Sequence, residues 1–454
     1  MAIKVKANGA YVDALAIYVK KNGVYQAVAG AYAKINGAYQ SILPPTLFRF
    51  GSTNNRNAQN DAGVVAGVNG MGVDTRKQAT LVGGDANSVV FKMDNRYAVL
   101  NSSVVANGPA STINGWYVTL NGANPKRVTF LGANTRAVAA GELDILCDPI
   151  LPSLFSLATF PVGSVFELRS TELVPSGGVV ALTTNQASAL SKTYDPTATT
   201  LTNLNGTGSF TYTGAAPASV NERSIMMLAN YVTEPIVIMG CGDSFFQNGP
   251  SYIQSLLSGD GANLIPGCNI SRAAGTSQIV VDYPDYFQSF TKYANRVVDE
   301  WGRNYTSPST LAKTQANALV CWATYRAGAT TNPNATRPFK IIRAKLAPNT
   351  TGTFATTAGQ TIVSGANAGE LDETFGDWMD TVVGTPTGPD IVVDINVGTG
   401  GALRASPAGK GTTGSDYYKW GLTSGSAVLT ADGKHPNQAA SDMIGNNIRA
   451  ACIA

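Results

Sequence analysis

Residues 235–244 read Pro-Ile-Val-Ile-Met-Gly-Cys-Gly-Asp-Ser, a short apolar run that leads directly into a glycine-containing turn. A run of this length bounded by a turn is typical of a buried parallel strand, and a helical pattern follows it. The glycines permit a tight turn that places Ser244 at the carboxyl edge of the sheet, beside a helix N-terminus. The stretch therefore predicts the first strand of an α/β unit with a candidate nucleophile at its end. Because Gly-Asp-Ser also caps many helices, simple capping is the alternative interpretation.

Three further apolar runs lie downstream, and helical stretches alternate with them. The runs are 296–299, 340–344 and 390–394, and the helical stretches are 252–257, 311–326 and 371–383, with a last one over 440–451. Alternating strands and helices predict a doubly wound, flavodoxin-like parallel sheet with helices on both faces. In such a unit the active site lies at the carboxyl ends of the strands.

The chain contains a single histidine, His435, in the segment Asp-Gly-Lys-His-Pro at 432–436. One imidazole excludes every mechanism that needs two, including that of the HExxH zinc proteases. Asp432 lies three residues earlier in a predicted turn. This separation lets its carboxylate accept a hydrogen bond from Nδ1 and leaves Nε2 free to act as a general base. A surface histidine in an ordinary Asp-Gly turn is the alternative.

Together the two segments resemble the SGNH, or GDSL-type, hydrolase family over roughly residues 235–454. The Gly-Asp-Ser block of that family corresponds to 242–244, and its late Asp-x-x-His-Pro block corresponds to 432–436. The resemblance implies a serine carboxyl-ester hydrolase in which Ser244 is the nucleophile, His435 the general base and Asp432 the residue that orients the imidazole. It implies neither a metal nor an organic cofactor.

Two other blocks of the family have counterparts here. Gly275 matches the glycine of the second block, and Asn304, which ends the sequence Trp-Gly-Arg-Asn, matches the third. Tyr305 stands where the family usually has an aspartate. The resemblance implies an oxyanion hole formed by the backbone N–H groups of Ser244 and Gly275 and the side-chain amide of Asn304, three donors aimed at the developing charge. An ordinary turn and an ordinary polar cap are the alternatives for Gly275 and Asn304.

The first 45 residues contain an Asn-Gly repeat with a spacing of 14 residues, at Asn8, Asn22 and Asn36. Asn-Gly is the strongest signal for a two-residue β-hairpin turn, so the segment predicts three short hairpins. Hairpins this small cannot bury a core alone. We therefore expect residues 1–45 to serve in attachment or oligomerisation, by packing against other copies or a larger assembly. A self-contained β-meander is the alternative.

Residues 46–232 are rich in glycine, asparagine and threonine and contain short strand-like runs at 88–92, 116–120 and 127–130. Turn signals such as Asn-Gly at 121–122 and 205–206 separate such runs. The pattern predicts a β-sandwich or jelly-roll region, which makes the chain multidomain, with the α/β unit over 233–454. Trp116 and Tyr117 could bind carbohydrate by stacking on sugars, although strand aromatics more often pack in a core.

The composition narrows the classes of function. The 454 residues carry 32 basic and 29 acidic side chains, and only 13% of residues are charged. Neither nucleic-acid binding by a general electrostatic surface nor binding to an anionic membrane is expected from these values. No apolar run is long enough for a transmembrane helix, and the N-terminus lacks the apolar core of a signal peptide, so we expect neither membrane insertion nor ordinary secretion. The five cysteines form no CxxC pair, which predicts reduced thiols.

The hairpin repeat, the β-rich middle and the C-terminal hydrolase blocks resemble, in combination, bacteriophage tail fibre or tailspike proteins. The resemblance implies synthesis in the host cytoplasm, a place in the virion tail and action at the host cell surface. It implies attachment to tail or baseplate proteins through the repeat and a homo-oligomer, by analogy a trimer. The implied reaction removes O-acetyl groups from a bacterial surface polysaccharide, whether capsule, lipopolysaccharide or exopolysaccharide.

Two other functions remain open. The chain could be a non-catalytic virion protein that binds a glycan receptor. It could also be a bacterial carbohydrate acetylesterase or lipase unrelated to phage.

Overall fold

The computed structural model describes residues 4–7, 10–13, 18–21, 24–27, 32–35, 38–41, 46–53, 55–56, 59–60, 64–65, 71–99, 102–180, 190–194, 224–247, 256–257, 264–304, 311–354, 356–362, 369–396, 405, 418–421, 429–430, 432 and 434–454.

The strands in chain order are β1 (Lys4–Ala7), β2 (Ala10–Asp13), β3 (Tyr18–Lys21), β4 (Val24–Ala27), β5 (Tyr32–Ile35), β6 (Ala38–Ser41), β7 (Arg49–Phe50), β8 (Asn55–Arg56), β9 (Gln59–Asn60), β10 (Val64–Val65), β11 (Met71–Thr80), β12 (Ala86–Met93), β13 (Arg96–Val99), β14 (Val105–Asn107), β15 (Ser111–Leu120), β16 (Lys126–Val128), β17 (Arg136–Val138), β18 (Ile145–Leu146), β19 (Val165–Val174), β20 (Val179–Val180), β21 (Leu190–Tyr194), β22 (Ile225–Tyr231), β23 (Ile238–Cys241), β24 (Gly267–Asn269), β25 (Arg296–Asp299), β26 (Lys340–Ala344), β27 (Thr350–Gly352), β28 (Gln360–Ile362) and β29 (Ile391–Val393). The helices are α1 (Ser244–Gln247), α2 (Gln278–Asp282), α3 (Pro284–Thr291), α4 (Leu311–Gly328), α5 (Gly369–Val382) and α6 (Gln438–Ile453), and a 3₁₀ helix spans Pro152–Phe155.

The α/β part of the chain is built on one sheet with the strand order β29-β26-β25-β23-β24-β8. Every pairing in this sheet is parallel. From β23 in the middle, the chain moves to β24 on one side and then passes to β25, β26 and β29 on the other, while β8, from earlier in the chain, lies beyond β24. This is the flavodoxin-like order, so the structure confirms the predicted doubly wound sheet.

The two faces of this sheet are covered by different helices, because side chains alternate along each strand. Ile238 and Val298 lie in one hydrophobic cluster together with Ile444 of α6. Their chain neighbours Met239 and Val297 lie in the other cluster, which contains aromatic side chains of α3 and α4. Both faces are therefore buried, which explains why these strands are almost continuously apolar in sequence.

The strand boundaries differ in two places from the sequence-based expectation. The run predicted as a strand at 236–239 pairs over Ile238–Cys241 instead, because the Val237 N–H donates to the Asn295 side chain at 2.9 Å rather than to a strand. Strand β24 was not predicted, since it has only three residues. A Cβ on its Gly267 would lie 2.4 Å from the carbonyl oxygen of Ile238, so only glycine fits there.

The two largest sheets described for residues 46–232 are antiparallel. One has the order β16-β15-β19-β11-β21, with β17 also paired to β15, and the other has the order β18-β12-β22-β7. Both sheets supply side chains to the same hydrophobic cluster, which also contains side chains of the α/β part. The sandwich or jelly-roll arrangement stays a prediction. Trp116 is buried in that core, so its side chain is not a sugar platform. Tyr117 is half-buried beneath the Arg127 guanidinium, whose central carbon lies 4.7 Å from the ring centre.

The backbone of the N-terminal repeat forms three pairs of antiparallel strands, as expected for hairpins. The strand pairs β1–β2, β3–β4 and β5–β6 are antiparallel, and each closes across a two-residue connection. The three Asn-Gly pairs themselves lie outside the described residues, as do the turn at 205–206, Tyr305 and most of the helical stretch at 252–257. What residues 1–45 pack against stays a prediction.

The β-rich segment and the α/β part of the chain are in direct contact. Strand β8, from near the start of the chain, extends the parallel sheet beside β24. A buried ion pair joins Arg49 to Glu234, with Nη2 and Oε1 2.6 Å apart, and the Glu234 carboxylate also accepts the Thr336 N–H at 2.6 Å. These partners hold the pKa of Glu234 below its usual value even though burial alone would raise it. The boundary predicted near residue 233 stays a prediction about domain organisation, but the contacts cross it.

Among the described helices, none has the length and apolar character needed to cross a membrane. All five cysteines are buried, and none of them is joined to another by a disulfide in the structure.

Candidate active site

Ser244 lies where the sequence predicts it, three residues beyond the end of β23 and at the first position of α1. The side chain of Asp243 fixes this turn, because its Oδ1 accepts the N–H of Phe245 at 3.2 Å. The hydroxyl and the backbone N–H of Ser244 therefore both lie at the carboxyl edge of the sheet, at the start of α1.

The turn before α6 presents His435. The carboxylate of Asp432 accepts two backbone N–H groups in this turn, from Lys434 at 2.9 Å and from His435 at 2.7 Å. The Thr430 hydroxyl donates to the carbonyl of His435 at 2.7 Å. Helix α6 then begins after Asn437, whose side chain accepts the Ala440 N–H. These bonds hold the imidazole in one place while its ring nitrogens remain available to other side chains.

The structure brings the three predicted side chains into one hydrogen-bonded chain. His435 Nε2 lies 2.9 Å from Ser244 Oγ, and His435 Nδ1 lies 2.7 Å from Asp432 Oδ2. Ser244 and His435 are separated by 191 residues in sequence, so only the fold unites them. The ring of Phe245 packs against the imidazole with centroids 5.6 Å apart. The arrangement is that of a nucleophile, a general base and an orienting carboxylate.

The electrostatics of Asp432 suit an orienting role. Burial alone would raise the pKa of its carboxyl, but the hydrogen bonds from the His435 ring and from the two backbone N–H groups outweigh burial and lower the pKa to about 2. The Asp432 side chain is 54% exposed. It therefore stays negatively charged at any pH near neutrality and favours the Nδ1–H tautomer of His435.

The other predicted oxyanion donors lie on the loops that follow the two strands beside β23. Gly275 follows β24 and Asn304 follows β25. The Asn304 amide donates to the carbonyl of Gly275 at 2.7 Å, so the structure brings these two residues together. The N–H of Gly275 donates to the carbonyl of Arg272 at 3.0 Å. The expected hole of three open donors thus differs in this structure, because the Gly275 N–H closes a turn.

Gly275 also lies in a tightly packed position. A Cβ at this position would lie 3.0 Å from the carbonyl oxygen of Arg272 and 3.2 Å from the ring of Trp301. Ala274, one residue earlier, is exposed and has a positive φ of 55°, a conformation that alanine rarely adopts. The loop is therefore held in a specific and partly strained shape.

A buried cluster of charged side chains lies next to Ser244, the candidate nucleophile, and the sequence analysis did not predict it. The N–H of Asp243 donates to Glu300 Oε2 at 3.3 Å, and both side chains are buried. Burial raises the pKa of Asp243 and raises that of Glu300 well above its usual value, with the proximity of Asp243 adding to the effect on Glu300. Two buried arginines, Arg303 and Arg343, offset the charge. The available signal was the acidic pair at 299–300 that directly follows a buried strand.

Comparison with protein-family models gives no match, and neither does comparison with curated proteins. Among solved structures, the lipase Lip_vut3 from a goat rumen metagenome is 12% identical, with 48% of this chain and 97% of that chain covered and a TM-score of 0.32. Est24, a carbohydrate acetylesterase from Sinorhizobium meliloti, is 13% identical, with 48% and 98% covered and a TM-score of 0.29. A carbohydrate esterase family 3 protein from Talaromyces cellulolyticus is 15% identical, with 48% and 96% covered and a TM-score of 0.29. Likeness at this level carries no functional argument for this chain.

The depressed pKa of Asp432 predicts a pH dependence of stability. Because the folded carboxyl binds a proton less readily than that of the unfolded chain, ionised Asp432 stabilises the fold above about pH 4. This contribution is lost as the pH falls toward 2. The difference in unfolding free energy between the wild type and Asp432→Asn, measured in urea, should be constant from pH 6 to 4 and shrink between pH 4 and 2. A difference that stays constant down to pH 2 would show that the carboxyl is not stabilised in its charged form.

Proposed function

We propose that the protein is a serine esterase whose nucleophile is Ser244. The observation that carries the proposal is the continuous hydrogen-bonded chain from Ser244 Oγ through both nitrogens of His435 to Asp432, with heavy-atom distances of 2.9 and 2.7 Å. The position of Ser244 at the switch point of a doubly wound sheet supports it, since this is where ligands bind in such folds.

The reaction follows from the geometry. His435 Nε2 accepts the proton of the Ser244 hydroxyl as Oγ attacks the ester carbonyl carbon, and Asp432 stabilises the imidazolium that forms. Collapse of the tetrahedral intermediate releases the alcohol, which takes the proton from His435. A water molecule then attacks the acyl-enzyme, again with His435 as base, and releases the carboxylic acid. The nucleophile of the first step and the base of both steps, Ser244 and His435, belong to this chain, and water is the second nucleophile.

We assign the oxyanion to the backbone N–H of Ser244 and the side-chain amide of Asn304. The amide nitrogen carries two hydrogens, and one of them is used on the Gly275 carbonyl. The N–H of Gly275 would join as the third donor only if its turn bond to Arg272 opened when the intermediate forms. Preorganised donors of this kind supply a large part of the rate enhancement in acyl transfer.

The first test uses a small activated acetate ester. Ser244→Ala and His435→Ala should each lower kcat by at least about a thousandfold, because each removes one member of a triad that acts as a unit. Circular dichroism should show an unchanged fold. Ser153→Ala, which removes an exposed hydroxyl from the 3₁₀ helix, is the matched control and should behave like the wild type. A folded Ser244→Ala variant that hydrolyses the ester at the wild-type rate would refute the proposed mechanism.

The substrate class is a further part of the proposal: O-acetyl groups on a bacterial surface polysaccharide. Its support is the combination of the block resemblance with an N-terminal hairpin repeat. Acetate release from polysaccharides of candidate host strains, compared between the wild type and Ser244→Ala, tests it. A preference for long acyl chains would favour a lipase, and glycan binding without acetate release would favour a receptor-binding protein.

The setting is proposed on the same basis: a homo-oligomer, by analogy a trimer, carried on a phage tail. The support is the repeat of three hairpins, each with a two-residue connection, at a spacing of 14 residues. Each hairpin is too small to bury a core alone. In this proposal the repeat docks the chain to tail or baseplate proteins and the remainder carries the chemistry.

Deletion of residues 1–43 separates these two roles. The truncated chain should keep kcat for a small ester within about twofold of the full-length value, since the triad lies far along the sequence. It should lose self-association, measured by light scattering, or binding to an isolated particle. A truncated protein that loses activity while it keeps its oligomeric mass and its docking would place the repeat in the catalytic unit instead.

A further inference from the structure

The hairpin formed by β13 and β14, in the β-rich segment, lies against the loop that carries Gly275. Its first contact is the carbonyl of Val99, which accepts Arg272 Nε at 2.9 Å. Its second is Ser103, whose Oγ lies 2.9 Å from the hydroxyl of Thr276 and accepts the Thr276 N–H at 3.1 Å. The loop beside the candidate nucleophile is therefore contacted by side chains and backbone from more than 170 residues earlier in the chain.

The bond from Ser103 and the bond from Asn304 are made to the two sides of one peptide group. The Gly275 carbonyl and the Thr276 N–H belong to the same peptide group, which is planar. The carbonyl accepts the Asn304 amide at 2.7 Å, and the N–H donates to Ser103 Oγ at 3.1 Å. Rotation of this peptide would break both bonds together. The orientation of the Asn304 amide therefore depends on a bond made by Ser103.

We propose that Ser103 is a positioning residue for the esterase reaction: by holding the Gly275–Thr276 peptide, it keeps the amide of Asn304 oriented for the oxyanion. This inference rests on the proposed function, because it assigns to Ser103 a part in the same site. It makes the β-rich segment a structural part of the active site rather than a separate module.

The geometry distinguishes this role from general packing. The neighbouring hydroxyl of Ser102 accepts the N–H of Val104 at 2.9 Å and so stabilises only the hairpin connection. Loss of the Ser103 hydroxyl removes the bonds to Thr276 and leaves the Val99 contact with Arg272 in place. The two adjacent serines thus offer a matched pair of variants.

The effect expected for Ser103→Ala is on turnover. Because an oxyanion donor acts mainly in the transition state, kcat for a small acetate ester should fall about tenfold while KM stays within about twofold. Ser103→Thr keeps a hydroxyl and should recover most of the lost activity. Ser102→Ala should leave both constants within about twofold of the wild type. Thermal melting of each variant reports on folding.

A double variant tests whether Ser103 acts through Asn304. If it does, Ser103→Ala combined with Asn304→Ala should be no more than about twofold slower than Asn304→Ala alone, since the positioned group is already gone. Three results would overturn the proposal: wild-type kcat in Ser103→Ala, a rise in KM with kcat unchanged, or losses that multiply in the double variant.

The same assays separate this proposal from the proposed function. If Ser244→Ala loses activity and Ser103→Ala does not, the triad stands and the role of Ser103 is refuted. If hydrolysis does not depend on Ser244, both proposals are refuted together.

Discussion

The parallel pairing of β23 with a neighbour on each side is the constraint on which the site depends. Parallel strands end at a common edge, so the loops that follow β23, β24 and β25 emerge side by side. Those loops carry Ser244, Gly275 and Asn304. The chain passes to one side of β23 and then to the other, and ligands bind at such a reversal of strand order in doubly wound sheets. His435 reaches the same place only because α6 packs across one face of the sheet.

Two sets of charged side chains surround Ser244, the proposed nucleophile, and we call them the outer and the inner layer. The outer layer is Asp432, which is half exposed and keeps its charge through hydrogen bonds. The inner layer is the buried pair of Asp243 and Glu300, for which burial opposes ionisation. Arg303 connects the layers, because its guanidinium carbon lies 5.3 Å from the ring centre of Phe245, the ring that packs against the imidazole.

Much of the α/β unit could be predicted from the sequence because its signals are local. Apolar runs such as 296–299 and 340–344 correspond to β25 and β26 at the same positions, and a single histidine left one candidate for the base. The features that could not be predicted from the sequence depend on contacts between segments that are distant along the chain. Strand β8 has two residues and exists only through β24, and Ser103 has no local pattern that distinguishes it from Ser102. The hydrogen bond from the Gly275 N–H to the Arg272 carbonyl likewise depends on backbone geometry, which residue types alone do not predict.

Covalent trapping tests most directly whether Ser244 is a nucleophile activated by His435. A fluorophosphonate loses fluoride when a serine oxygen attacks its phosphorus, and it leaves a phosphonyl group on that oxygen. Intact-mass and peptide-mass measurements should show one adduct per chain on the peptide that contains Ser244, with no adduct in Ser244→Ala and much slower labelling in His435→Ala. A wild-type protein that hydrolyses an acetate ester but is labelled elsewhere, or not at all, would contradict the account.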